Sequence, residues 1–394
     1  MNRPPRILVS AGEASGDLYA SLVVGELRRR FPDAEFFGCT GPRLRAAGVR
    51  TVVDAASLAV VGLLEVVPDL VRVYREYRKL LRAARETLPD LALLTDSPDF
   101  HLRVARRLAL QGVPVVYLVA PQAWAWRKGR VKAMRRTLNR LLCIFPFEEK
   151  FFREAGVPAM YIGHPLAGLV KPALSRDEFF TKHGLTAGRP LIAVLPGSRR
   201  GEAGRHLPAL AEAVRILSRE REMNFVLPAS ATTGVEFFRE HTRGTAIRVI
   251  EGESWDAMGH ATLALAASGT VTVEAALLGT PMVSFYRVTA ASWLLGKWLV
   301  SVPFYSMVNL IAGRAVVPEL MQSQMTGPRI AAEARLLLDD ASARARMVAG
   351  LAEVRRSLEA GGGAEPEAAS AACPAARAAA VIYEILQGEA AHVS

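Results

Sequence analysis

Cysteine is scarce in this chain of 394 residues. Cys39, Cys143 and Cys373 are too few and too far apart for a disulfide framework or a zinc site, and they fit a reducing compartment. Aromatic residues make up only 7% of the chain, so Ala, Val and Leu must build most of any core. No apolar run reaches the roughly 18 residues that span a bilayer. The nearest, 290–302, is broken by Lys297 and stopped by Pro303. Residues 2–6 are polar and only a short apolar run follows, which is not the pattern of a signal peptide. There is no Asp-x-Asp pair to hold a divalent cation against a diphosphate, and no His/Cys/carboxylate cluster with metal-ligand spacing. Chemistry without a metal or a cofactor is therefore expected.

Positive charge and apolar content are abundant. Hydrophobic residues make up 51% of the chain, enough for well-packed cores, and the length is comfortable for two domains. A net charge of +11 fits an anionic membrane surface, a phosphorylated substrate, nucleic acid, or simply an Arg-rich proteome. No nucleic-acid motif is present and aromatics are sparse, which argues against the nucleic-acid partner.

Short apolar runs alternate with amphipathic helical patterns. Candidate strands are 6–10, 35–39, 91–95, 115–118, 141–144 and 159–162, then 191–195, 224–228, 247–250, 263–267 and 282–285. Such alternation predicts an α/β fold of parallel sheets with helices on both faces. Pro165, Pro172, Gly184, Gly188 and Pro190 punctuate the middle of the chain. The expected organisation is a Rossmann-like domain at 1–165, a linker at 166–188 and a second Rossmann-like domain at 189–359. A flexible Ala/Gly-rich linker at 360–376 and a short docking helix within 377–394 follow. Each half opens with a strand, a Gly/Ser turn and a helix. Ligands bind at the carboxyl ends of strands in such sheets, so both turns should face a cleft.

Five segments could carry chemistry. Ser268-Gly269-Thr270 lies between an apolar run and a helix bearing Glu274. A helix N-terminus attracts anions through its free N–H groups and its dipole, and a carboxylate one turn in can accept ribose hydroxyls. That arrangement reads as a nucleotide site, or as an ordinary capped connection. Pro196-Gly197-Ser198-Arg199 can bind phosphate through backbone donors and a guanidinium fork, or be a plain turn. It lacks the Gly-Lys-Ser/Thr ending of a P-loop, which argues against ATP hydrolysis. The turn around Glu13 and Asp17 is acidic and suits hydroxyl recognition; Asp17 reads more simply as a carboxylate favoured by the helix dipole. Asp96 follows a strand directly and is a general-base candidate, whereas Asp99 after Pro98 looks like an N-cap and His101 like a structural residue. Trp124 and Trp126 beside Arg127, Lys128 and Arg130 suit a membrane interface or a phosphate, or buried indoles under a solvated basic face. Residues 58–81 and 290–311 mix apolar side chains with cations, as interfacial segments or core helices do.

Taken in order, these motifs resemble the lipid-A-disaccharide synthase family, glycosyltransferases of the GT-B fold with two Rossmann-like domains facing a cleft. The resemblance covers about residues 6–340. It rests on Ala-Gly-Glu-Ala-Ser-Gly-Asp (11–17), Gly-Pro-Arg (41–43), Val-Val-Gly-Leu-Leu-Glu-Val (60–66) and Asp-Ser-Pro-Asp-Phe (96–100). Ala-Trp-Ala-Trp-Arg (123–127), Phe-Pro-Phe-Glu (145–148), Ile-Gly-His-Pro (162–165), Leu-Pro-Gly-Ser-Arg (195–199), Ser-Gly-Thr…Glu (268–274) and Asn-Leu-Ile-Ala-Gly-Arg (309–314) continue it. It implies transfer of a sugar from UDP-2,3-diacylglucosamine to the 6-hydroxyl of 2,3-diacylglucosamine 1-phosphate (lipid X), inverting and metal-free. Asp96 matches the family's proposed base, with Glu13 facing the cleft and Arg199 as its essential arginine. Gly197, Ser198, Ser268, Gly269 and Thr270 would receive the diphosphate, Glu274 the ribose, and Asn309 would be a donor-site asparagine. Ser306-Met307-Val308 stands where the family commonly has a proline before that asparagine. The resemblance also implies a cytoplasmic protein resting on the anionic inner membrane of Gram-negative bacteria, and a homodimer that exchanges C-terminal segments. The competing readings are another GT-B enzyme using UDP-N-acetylglucosamine (an epimerase or a muropeptide-lipid transferase) and a non-catalytic basic protein binding membrane or nucleic acid. The 96–99 and 124–127 segments argue against the first.

Overall fold

Two parallel sheets organise the chain in a computed structural model that describes residues 3–58, 66–123, 129–230, 232–289, 293, 302–360 and 373–388. Contacts divide it into unit 1, residues 1–165 with 358–394, and unit 2, residues 166–357. In unit 1 the elements run β1 (Arg6–Ala11), α1 (Ala14–Arg30), β2 (Glu35–Thr40), α2 (Pro42–Ala46), β3 (Arg50–Asp54) and α3 (Val66–Thr87). They continue as β4 (Leu91–Thr95), α4 (Pro98–Ala109), β5 (Val115–Leu118), α5 (Gly129–Thr137), β6 (Arg140–Cys143), α6 (Pro146–Glu154) and β7 (Ala159–Tyr161). Unit 2 holds α7 (Arg176–Lys182), β8 (Leu191–Leu195), α8 (Arg200–Glu220), β9 (Asn224–Ala229), α9 (Val235–His241), β10 (Ile247–Glu251) and α10 (Ser254–Gly259). Then come β11 (Leu263–Ala267), α11 (Thr270–Leu278), β12 (Met282–Tyr286), α12 (Met307–Ala312), β13 (Glu319–Met321), α13 (Gly327–Asp339) and α14 (Ala341–Glu359), before α15 (Pro374–Gln387) returns to unit 1.

The sheet orders are β3-β2-β1-β4-β5-β6-β7 and β10-β9-β8-β11-β12-β13, every pairing parallel. Strands covered on both faces read as continuous apolar runs, and β4, β8 and β11 are buried at every residue. Strand order reverses direction between β1 and β4 in unit 1, and between β8 and β11 in unit 2. Such switch points open a crevice at the carboxyl ends of the two central strands. Ala11 pairs with Thr95, so Gly12 and Asp96 leave the sheet side by side. Leu195 pairs with Ala266, so the 196–199 and 268–270 loops do the same.

Two expected boundaries change. Segment 166–188 belongs to unit 2 rather than forming a linker. Phe179 and Phe180 of α7 are buried against Leu191, Val226, Ile250 and Ala257. The helix is opened by Ser175, which exchanges hydrogen bonds with Glu178. The C-terminal helix begins at Pro374, inside the stretch expected to be flexible, and packs on α1 of its own unit. Phe31 stacks on Tyr383 at 5.2 Å, and the buried Arg377 donates to Ile162 O at 2.7 Å and Glu359 O at 3.2 Å. Residues 361–372 of the expected linker, residues 60–65, Trp124, Trp126, Arg127 and Lys128, and 290–292 with 294–301 lie outside the described residues.

Candidate active site

Asp96 sits at the end of β4 in the left-handed region, φ 52°, and Ser97 after it is at φ 35°. Non-glycine residues adopt this conformation at a cost of about 1–3 kcal/mol each, so the surroundings must hold them there. They do. The Asp96 carbonyl accepts from the Tyr117 hydroxyl and from His101 Nδ1, the latter at 3.0 Å. A carbonyl can only accept, so the His101 proton is on Nδ1 and Nε2 accepts from Ser10 Oγ at 2.7 Å. Burial pushes His101 down to about 4, which keeps it neutral.

The Asp96 carboxylate faces the β1 turn. Oδ1 accepts from Gly12 N at 2.8 Å and Oδ2 from Glu13 N at 3.1 Å. Its side chain is 10% exposed, and burial raises its pKa from 3.8 to about 7. The two backbone bonds counter that rise, and the Glu13 charge adds to it. A buried carboxylate half-ionised near neutrality is what a general base requires. Gly16 makes the fit possible: a Cβ there would fall well inside contact distance of Asp96 Oδ2.

The neighbouring acids separate cleanly. Asp99 is 72% exposed, paired with Arg130 at 2.6 Å. It is in the first turn of α4, and the N-cap is Ser97 rather than Asp99. Asp17 is 2% exposed and accepts from Gly41 N, Arg43 N and Leu44 N at 2.7, 2.8 and 3.2 Å. It therefore caps α2 and has no free face for a ligand. Glu13 is the exposed N-cap of α1, whereas Asp17 is buried within the helix.

In unit 2, Gly197 has φ 110°, a conformation that favours glycine. Ser198 and Arg199 are exposed, and Arg199 is the N-cap of α8. The loop is tied down from behind. Thr233 Oγ1 donates to Ser198 O at 2.6 Å, and the buried His206 donates from Nδ1 to Pro196 O at 2.8 Å. The other nitrogen of His206 accepts from Arg287 N at 2.9 Å, so one neutral imidazole joins the β8 and β12 loops. Glu202 lies behind Arg199; burial raises its pKa and the Arg199 charge opposes the rise.

Gly269 is the N-cap of α11, and Thr270, its first residue, is exposed. Ser268 Oγ donates to Tyr305 O at 2.8 Å. Burial raises the pKa of Glu274, whose Oε2 accepts from Trp255 Nε1 at 2.8 Å. Asn309 corrects one expectation. It is 1% exposed, with Nδ2 donating to Val317 O and Glu319 Oε1 and Oδ1 accepting from Val316 N and Val317 N. All the hydrogen-bonding positions of its side chain are spent inside the protein, so that side chain scaffolds the loop. Ser306 caps α12, its side chain accepting from Val308 N.

Tyr117, His206 and Trp255 lie in no motif of the sequence. Each acts on a residue far along the chain, and no local spacing marks such a contact.

Comparison with known proteins agrees along the whole chain. The family model described as lipid-A-disaccharide synthetase matches residues 7–372. A lipid-A-disaccharide synthase of Solibacter usitatus strain Ellin6076 is 71% identical, covering 99% of this chain and 100% of the relative. One of Myxococcus xanthus strain DK1622 is 44% identical, covering 91% and 94%. Among solved structures, Acinetobacter baumannii MurG superposes with a TM-score of 0.57 at 14% identity, covering 97% of this chain and 100% of that one. A UDP-GlcNAc 2-epimerase from Neisseria meningitidis, bound to UDP-GlcNAc, gives 0.63 at 12% identity, covering 97% and 100%. At such identities these two show the fold alone, which is of the GT-B kind. With the family model spanning nearly all of its length, the chain belongs to the lipid-A-disaccharide synthase family.

Proposed function

We propose that this chain transfers 2,3-diacylglucosamine from UDP-2,3-diacylglucosamine to the 6-hydroxyl of 2,3-diacylglucosamine 1-phosphate. The products are UDP and the β-1,6-linked lipid A disaccharide 1-phosphate. One observation carries the chemistry: Asp96 is a buried carboxylate with its proton affinity lifted to about 7, at the switch point of unit 1. In one displacement, Asp96 takes the proton of the 6-hydroxyl while that oxygen attacks the anomeric carbon. The bond to UDP breaks on the opposite face, so an α-linked donor gives a β-linked product. Negative charge then grows on the leaving diphosphate. The α8 end at Gly197, Ser198 and Arg199 and the α11 end at Ser268, Gly269 and Thr270 supply N–H groups, helix dipoles and a guanidinium to meet it. Glu274 is assigned the ribose, and Glu13 the edge of the acceptor site. The test is direct: purified protein, both lipid substrates in detergent, with and without EDTA, read by mass spectrometry for the disaccharide 1-phosphate. No product, where a synthase from the family run alongside makes it, refutes the assignment.

Two further expectations belong to this reading. The lipid substrates and the charge of +11 support a peripheral site on an anionic bilayer. In α3, Val71 and Tyr74 are 48% and 58% exposed, with Arg72, Arg75, Arg78 and Lys79 around them. Among the described residues no helix is long and apolar enough to cross a membrane. Val71→Ser with Tyr74→Ser should lower co-sedimentation with anionic vesicles; unchanged co-sedimentation removes α3 from the interface. Two copies exchanging α15 would make the α1–α15 contact between chains, and light scattering decides between monomer and dimer.

A further inference from the structure

We propose that Trp255 is a positioning residue of the nucleotide site: its indole N–H fixes the Glu274 carboxylate so that the remaining oxygen selects ribose over 2′-deoxyribose. The inference rests on the reading above that segment 268–274 holds the nucleotide.

A free glutamate side chain swings through several rotamers, and ordering it costs entropy that weakens any ligand it must meet. Glu274 is ordered beforehand. Trp255 Nε1 donates to Oε2 at 2.8 Å, a charge-assisted bond that fixes the plane of the carboxylate. Oε1 makes no hydrogen bond to any described residue and keeps its lone pairs for the vicinal hydroxyls of a ribose.

Trp255 is itself held firmly. Glu253, two residues before it, sits at φ 55° and pairs with Lys182 and with His183, the latter at 2.8 Å. Asp256, next to it, is 4% exposed and accepts from Ala173 N and Leu174 N, each at 2.7 Å. His260 Nε2 bonds Leu174 O at 2.8 Å, and Thr280 Oγ1 donates to Met258 O at 2.9 Å. Segment 172–183, which reads as a linker in the sequence, thus buttresses α10, and α11 packs against α10 as well. The indole is aimed by the fold at a carboxylate that has no other hydrogen-bond partner among the described residues.

Calorimetric titration of the full chain with UDP and with 2′-deoxy-UDP tests the proposal. Wild type should prefer UDP by about tenfold or more, the usual effect of one hydrogen bond to a charged group. Trp255→Phe keeps an aromatic ring and deletes the N–H. It should cut that preference to about twofold or less, weakening UDP several-fold and leaving 2′-deoxy-UDP nearly unchanged. Trp255→Leu gives a second variant with the same expectation. Glu274→Ala should abolish the preference, and adding Trp255→Phe to it should change nothing more, since coupled residues are not additive. A Trp255→Phe protein that weakens both nucleotides equally, or that loses further affinity in the Glu274→Ala background, overturns the proposal and leaves the nucleotide reading standing. If Glu274→Ala binds both nucleotides as wild type does, the nucleotide reading of 268–274 falls with it.

Discussion

Charging Asp96 in the folded protein is costly, and that cost gives a prediction independent of any assay of catalysis. Its pKa is about 7 when folded, against an ordinary value of 3.8. The folded state therefore holds the Asp96 proton more tightly than the unfolded chain does. The sign follows: stability from this group is fully present at low pH and is lost as pH rises from the unfolded value through about 7. Integrating the linkage from about pH 5 to about pH 8 gives a loss of about 2.5 kcal/mol. Asp96→Asn removes the titration. The amide carries its own fixed penalty, because its NH2 must face either Gly12 N–H or Glu13 N–H, and that penalty does not change with pH. The gap in stability between variant and wild type should therefore move in the variant's favour by about 2.5 kcal/mol between these pH values. For a unit of this size that is a relative shift in melting temperature of about 5–10 °C. Urea or thermal unfolding of both proteins at both pH values reads it. Wild-type kcat/KM should also rise about tenfold per pH unit and level off above pH about 7. A stability gap that is the same at both pH values refutes the argument that burial holds the Asp96 proton.

Other consequences can be checked singly. Tyr117→Phe removes one of two donors to the Asp96 carbonyl; steady-state kinetics should show kcat down about tenfold with KM little changed. Gly16→Ala drives a methyl into Asp96 Oδ2, so turnover should fall about a hundredfold or more while calorimetric UDP binding persists. Asn309→Asp sets an oxygen against Val317 O and Glu319 Oε1 in a buried site, so urea unfolding should report a loss of roughly 2–4 kcal/mol. Arg377→Ala leaves the Ile162 and Glu359 carbonyls without this donor and should cost about 3 kcal/mol, with Arg377→Lys recovering little because a point charge cannot reproduce the fork.

Runs of Leu, Val, Ile and Ala announce central strands, because a strand covered on both faces has nothing but apolar residues to offer. The structure contains a strand at every run named from the sequence. It adds β3 and β13, edge strands whose few apolar residues, as in Arg50–Asp54 and Glu319–Met321, give no such run. Segment 166–188 looks like a linker because prolines and glycines punctuate it; the Ser175…Glu178 box and the Phe179-Phe180 pair are the signs of a helix within it. Asp96 was legible as a carboxylate just after a strand. Its left-handed backbone, its raised proton affinity and its cradle of Gly12, Gly16, Tyr117 and His101 were not, since they arise where distant segments meet. Asp17 and Asn309 mark the other side of that limit: a polar residue inside a motif satisfies a ligand or the backbone, and only the fold shows which.

The return of α15 to unit 1 has a consequence for how the protein is made. A ribosome delivers residues 1–165 first, then all of unit 2, and α15 last. At about 5–20 residues per second, unit 2 takes roughly 10–40 s to emerge. Throughout that interval the α1 surface that will receive α15 faces water, Phe31 lacks its stacking partner Tyr383, and the Ile162 carbonyl waits for Arg377. The unit born first is finished last. A chain stopped between Met321 and Arg377 stays in that unfinished state, a ready substrate for chaperones and proteases even though both sheets are fully encoded.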